Sequence, residues 1–179
     1  MASVTGLTID DFEKLPDSLA LNHELVDGEL VEVSGNTGNH NTLREWLTAL
    51  ILLHVDENKL GRVLAEQEYD FQGNAHGPDV SFFSRDKARL YDGKLRVQRF
   101  VPDLAIEIVS QNDKFETLMK KARHYRDCGV REVWIFSIEM REAYLYSERQ
   151  RLILGPDSEF RSDLIPGFSI RIGDLFDRL

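Results

Sequence analysis

The stretch "VPDLAIEIVS", residues 101–110, constrains this chain more than any other. It reads as a buried β-strand headed by a proline and an acid, yet Glu107 stands in the middle of its apolar run. Side chains two apart on a strand share a face, so Asp103, Ala105, Glu107 and Val109 point one way and Leu104, Ile106 and Ile108 the other. "GPDVSFF", residues 77–83, repeats the Pro-Asp head, with Asp79 on the face of Ser81 and Phe83. A lone carboxylate on a buried strand face costs several kcal/mol unless it is paired or bound to a cation.

Two such acids brought together by strand pairing would repel unless a divalent metal sat between them. Mg²⁺ is satisfied by one or two protein carboxylates, with waters and phosphate oxygens completing its shell. A site of that kind polarises a phosphoryl oxygen and activates a water, and it needs a cation nearby for the developing charge. The helix expected over 113–127 offers one: Lys114 and Lys121 lie seven apart on the same edge of the apolar stripe Phe115, Leu118, Met119 and Ala122, next to Tyr125. A lysine there buries its stem and aims its ammonium at the sheet edge, whereas Lys120 points to the opposite flank.

The other segments give an α/β chain with a mixed sheet. "HELVDGELVEV" shows two alternating runs around Asp27-Gly28, a strong hairpin signal. Residues 42–56 read as a helix opened by a capping box at "TLRE", with a stripe of Leu43, Trp46, Leu47, Leu50, Ile51 and His54. Residues 62–71 alternate as one half-buried strand, its polar face carrying Glu66, Glu68 and Asp70; for Glu66 the favoured reading is that it faces water. "EVWIFS" (132–137) is apolar throughout, as a strand covered on both faces requires, and a further hairpin and a β-rich tail ending in a helical turn follow. No repeat or linker divides the 179 residues, which are expected to form a single domain.

Charge restricts partners less than its sum suggests. The net charge is −9, but residues 1–40 hold eight acids against one lysine, while residues 84–99 hold six basic residues against two acids. The basic segment and the 113–127 helix could therefore hold a polyanion on either side of the acids, with Arg85, Lys87, Arg89 and Lys114 as contacts. The N-terminus has no basic and apolar leader, and no apolar run is long enough to span a bilayer, so the cytoplasm is expected and a membrane is not. Cys128 is the single cysteine, which excludes an internal disulfide and a cysteine zinc site. The five histidines show no pair at metal-ligand spacing, and only His40 is placed near the acids.

Taken in order, these segments resemble the Uma2 family of restriction-like endonucleases, also called DUF820 and common in bacteria, within the PD-(D/E)XK nuclease superfamily. The resemblance runs through "HELVDGELVEVS", "NHNTLREWL", "GRVLAEQEY", "GPDVSFF", "PDLAIEIVS", "KARHYRDCGVREVWIFS" and "IPGFSIRIGDLF". It implies a restriction endonuclease-like core, a mixed central sheet flanked by helices, with an N-terminal β-hairpin and a β-rich tail. It also implies a nuclease in which Asp79 and Glu107 bind Mg²⁺ or Mn²⁺, Glu24 is an additional acid and Lys121 is the catalytic lysine. The superfamily lysine expected two residues after the glutamate is here Val109, so its role moves to Lys121, a relocation the Uma2 family shares. Asp103 has no superfamily role, and its structural reading is preferred.

The expected function is metal-dependent hydrolysis of phosphodiester bonds in DNA, with a homodimer as one arrangement for cutting two strands. Two rivals stay open: a nucleic-acid-binding module on the same fold that has lost catalysis, and a protein-interaction domain whose acids are structural.

Overall fold

The computed structural model describes residues 6–33, 36–109 and 115–179. Two short helices, α1 (Ile9–Glu13) and α2 (Asp17–Ala20), precede the hairpin of β1 (His23–Val26) and β2 (Glu29–Glu32). Asp27 and Gly28 turn the hairpin at φ 51° and 79°, the pair of positive values that a two-residue turn of this hand needs.

Helix α3 (Gly38–Glu57) begins four residues before the expected start. Its cap is Thr37, whose hydroxyl accepts the His40 N–H, so Thr42 lies inside the helix and opens no capping box. Leu43, Leu47, Ile51 and Val55 form the buried stripe. Trp46 stands at the rim with the Arg178 guanidinium 4.1 Å from its ring centre.

The expected single strand 62–71 is two strands, β3 (Gly61–Ala65) and β4 (Glu68–Phe71). Glu66 adopts φ 52° and carries the chain from one sheet into another, a break that alternation alone does not register. There follow β5 (Asn74–His76), β6 (Val80–Ser84), α4 (Arg85–Ala88), β7 (Val97–Gln98), β8 (Leu104–Val109) and α5 (Phe115–Asp127). The C-terminal part contains β9 (Glu132–Ser137), β10 (Glu142–Ser147), β11 (Arg151–Leu154), β12 (Glu159–Arg161), β13 (Ser169–Arg171) and α6 (Ile172–Phe176).

The strands form a six-stranded sheet in the order β11-β10-β9-β8-β6-β3, a five-stranded sheet in the order β2-β1-β5-β4-β7, and the pair β12-β13. Strands β8 and β9 run parallel across the α5 connection, while β6 pairs with β8 antiparallel, so the central sheet is mixed as the sequence suggested. Val80, Phe82, Leu104, Ile106, Trp134 and Phe136 pack one face of it against α3 and the C-terminal tail. Phe83, Ala105, Val133 and Ile135 pack the other against Leu118, Ala122 and Tyr125 of α5. Alternation on β6 and β8 thus feeds two cores at once, and every residue of β9 is buried.

The charge polarity of the sequence resolves into internal pairs. Arg96 meets Asp17 and Arg99 meets Asp10, each at 2.6 Å, and the Glu13 carboxylate accepts the backbone N–H groups of Arg96 and Val97. The N-terminal acids therefore clamp β7 to the domain and neutralise part of the basic segment.

Candidate active site

Strand register brings the acids together. Val80 pairs with Ile106 and Ser81 with Ala105, and one step further along this ladder sets Asp79 opposite Glu107. The Asp79 carboxylate is fixed from two sides: its Oδ2 accepts the Ile108 N–H at 2.7 Å, and its Oδ1 lies 3.2 Å from Nε2 of His40. The early start of α3 is what lets His40 reach it. Burial pulls the His40 imidazole down, but the Asp79 carboxylate outweighs that and leaves it raised.

Glu107 lies in the interior, against the Lys121–Tyr125 turn of α5. Tyr125 donates its hydroxyl to Oε1 at 2.8 Å, and the Lys121 ammonium stands 3.2 Å from the same oxygen. Burial pushes the Glu107 carboxyl up to about 7; Lys121 opposes the shift while Asp79 and Glu24 add to it. Lys121 also donates to Oε1 of Glu24 at 2.8 Å, and the two carboxylates overcome its burial to keep it charged.

Glu24 comes from β1 in the other sheet. Its Oε2 lies 2.8 Å from His76 Nδ1, and its Oε1 accepts the Gly77 N–H at 3.3 Å. Burial would raise this carboxyl, but Lys121 and His76 hold it down to about 2. One hydrogen-bonded chain thus runs His76–Glu24–Lys121–Glu107–Tyr125 and ties the two sheets together.

Glu24, His40, Asp79, Glu107 and Lys121 line a cleft of about 980 Å³ that also includes Glu66, Glu68 and the β1–β2 hairpin. Glu66 is largely exposed and pairs with Arg44. Burial lifts the Glu68 carboxyl to about 7, against the pull of Arg96.

The structure therefore gathers Asp79, Glu107, Lys121, Glu24 and His40 at one place, and it does not bring Arg85, Lys87 and Arg89 there. Arg85 and Lys87 sit in α4 and Arg89 caps its C-terminal end, all at the far end of β6, a strand of five residues that spans roughly 17 Å. Lys87 is committed to Asp103 at 2.9 Å and to the Val101 carbonyl, and Arg89 pairs with Asp86. The basic segment thus does not flank the acids, because it is carried past the opposite edge of the sheet and into ion pairs of its own. Lys114 lies outside the described residues. Asp103 is a buried structural acid that accepts the Ser84 N–H and pairs with Lys87.

The sequence placed Tyr125 beside Lys121, one helical turn on, but gave its hydroxyl no role, and it did not reveal His76. His76 carries no comparable signal, since only the β1–β5 pairing brings it to Glu24.

Residues 9–173 match the Uma2 family, described as "Putative restriction endonuclease". The chain belongs to the Uma2 family. Among solved structures, this Uma2 chain is similar to a "putative nuclease belonging to DUF820" from Anabaena variabilis ATCC 29413. The two share 21% identity with a TM-score of 0.85 over 97% of this chain and 99% of that one. At that identity the likeness speaks to the fold, which is the α/β arrangement expected from the sequence. A comparison with curated proteins found no match. Among the described residues no helix is long and apolar enough to cross a membrane.

Proposed function

We propose that this Uma2 chain is a Mg²⁺- or Mn²⁺-dependent endonuclease that hydrolyses phosphodiester bonds in DNA, with Asp79 and Glu107 holding the metal. The observation that carries this reading is the meeting of Asp79 and Glu107 across β6 and β8, with Lys121 3.2 Å from Glu107. Two carboxylates meet here across paired strands that border the cleft, Glu107 buried and Asp79 nearly so. Here the repulsion between them helps to raise Glu107.

The residues fit a hard divalent cation. Among the described residues no three His, Cys, Asp or Glu side chains are grouped as ligands around one point. Magnesium needs fewer, since one or two carboxylates suffice when water and phosphate oxygens fill the remaining positions. When bound there, the ion supplies polarisation of the phosphoryl oxygen and a lowered pKa for water.

The protein's own groups do the rest. Lys121, kept charged by Glu107 and Glu24, faces the negative charge that builds up as the phosphodiester is attacked. Glu24 and His76 act through Lys121 by fixing where its ammonium stands. His40 and the Ile108 N–H orient Asp79. The ion pairs that consume Lys87, Arg89, Arg96 and Arg99 count against a module that only binds nucleic acid, because they leave the basic segment little charge to offer.

The test is cleavage of plasmid and single-stranded DNA in Mg²⁺, Mn²⁺ and EDTA, with Asp79→Ala beside wild type. Metal-dependent cutting that disappears in the variant supports the proposal. Cutting that survives in Asp79→Ala, or no cutting by wild type on either substrate, counts against it.

A further inference from the structure

The cleft has two unlike sides. Its floor carries Asp79, Glu107 and Lys121; its roof is the β1–β2 hairpin, which contributes Glu24. Glu24 pairs across the hairpin with Val31, so these two side chains share a face. Just beyond the strands the Val33 N–H donates to the Asn22 carbonyl at 2.8 Å, and Val33 and Asn22, the latter a turn residue at φ 65°, line the cleft beside Val31. The opposite face carries Leu25 and Leu30, which pack into the small N-terminal core. Val31 is 46% exposed and Val33 44%, and Leu21, 62% exposed, extends the patch along the cleft wall. An apolar patch held open beside a charged site marks a contact surface.

That patch is unsuited to a phosphate backbone. It offers aliphatic carbon and the Asn22 amide, and the charged group that shares its face, Glu24, is an acid already bound to Lys121, so the patch presents no cation to a phosphate. Its chemistry suits a nucleobase, whose flat face packs on apolar side chains and whose edge bonds an amide. A closed duplex keeps its base faces stacked inside and turns phosphates outward, whereas an unpaired strand exposes both.

We propose that the hairpin face bearing Asn22, Val31 and Val33 is a nucleobase platform, and that the cleft takes a DNA strand with its bases unpaired in preference to a closed duplex. This rests on the nuclease reading of the floor. The phosphodiester lies on the floor at Asp79 and Glu107, and a neighbouring base lies against the hairpin.

The test uses the full chain carrying Asp79→Asn in Mg²⁺ buffer, with labelled DNA of one length in three forms read by fluorescence anisotropy. The forms are single-stranded, fully duplex, and single-stranded with abasic sites throughout, which keeps the phosphates and removes the bases. The single strand should bind severalfold more tightly than either of the others, as burying aliphatic surface against a base contributes about 25 cal/mol per Å². Adding Val31→Ser and Val33→Ser, both at exposed positions, should erase that preference while leaving the melting temperature and the abasic affinity unchanged.

Equal affinity for normal and abasic strands, or a preference for duplex, overturns the platform. Concentration-dependent dimerisation abolished by the serine pair would assign the face to a second copy of the chain and also overturn it. The two readings fail separately. Wild type that cuts duplex and single strand equally in Mg²⁺ sinks the platform and leaves the nuclease standing. Wild type that prefers unpaired strands yet cuts nothing sinks the nuclease and leaves the platform.

Discussion

The Lys121 ammonium lies 3.2 Å from the Glu107 carboxylate although one residue sits on helix α5 and the other on strand β8. The sequence position two after Glu107 is Val109, which packs against the core between the sheet and α5. A cation beside a buried strand acid can therefore be delivered from a packed helix as well as from the strand itself. What the delivery requires is a rigid helix, and α5 is fixed by buried Leu118, Ala122 and Tyr125 and stopped by Gly129 at φ 102°.

Removing the lysine should cost stability as well as function. Lys121→Met leaves Glu24 and Glu107 buried without their shared cation, and breaking a buried pair in this way costs about 3–5 kcal/mol. Urea denaturation at pH 7 should show that loss, and it should shrink at pH 4, where Glu107 takes up a proton.

Glu107→Gln should do the opposite. Burial raises this carboxyl from 4.5 to about 7, so its ionised form weighs against folding increasingly as pH rises from 4.5 to 7 and fully above that. The glutamine variant should melt higher than wild type at pH 8 and level with it at pH 4. Scanning calorimetry at the two pH values checks the sign.

Glu24 carries the reverse dependence within the same chain of bonds. Its carboxyl is lowered from 4.5 to about 2, so its contribution is present above pH 4.5 and is lost as pH falls toward 2. Glu24→Gln should lose about 3 kcal/mol at pH 7 and almost nothing at pH 2, by the conversion of 1.36 kcal/mol per pKa unit. Chemical denaturation across that window reads the difference.

Metal binding should follow Glu107. Mn²⁺ must displace the proton this carboxyl keeps near neutrality, so affinity should fall as pH drops below about 7. At a hundredfold excess over Kd, Mn²⁺ should add about 2.7 kcal/mol to wild-type stability. Asp79→Ala should abolish that gain. Asp103→Ala should keep it, while losing stability through its buried pair with Lys87.

The sequence exposed the parts of this site that depend on local pattern. Asp27-Gly28 marked the hairpin because few residues accept two positive φ values in succession. The acids stood out because Glu107 interrupts an apolar strand, and helical spacing brought Lys121 and Tyr125 to one edge of α5. Long-range pairing was hidden. Alternation over 62–71 continues straight through Glu66, where the chain changes sheets. The basic segment looked like a surface for polyanions because its partners Asp10, Asp17 and Glu13 lie some eighty residues away. His76 and Glu24 meet only through the five-stranded sheet.

The central claim is that Asp79, Glu107 and the helix-borne Lys121 form one metal-dependent hydrolytic site. The most direct measurement is the single-turnover cleavage rate of end-labelled DNA in Mn²⁺ for wild type and Lys121→Met, with Mn²⁺ affinity of both proteins measured by calorimetry. Wild type should cut in a metal-dependent way, and the variant should cut about a hundredfold or more slowly, as for loss of one group stabilising developing charge. The variant should stay folded and bind Mn²⁺. A folded Lys121→Met protein that cuts at the wild-type rate would contradict the claim.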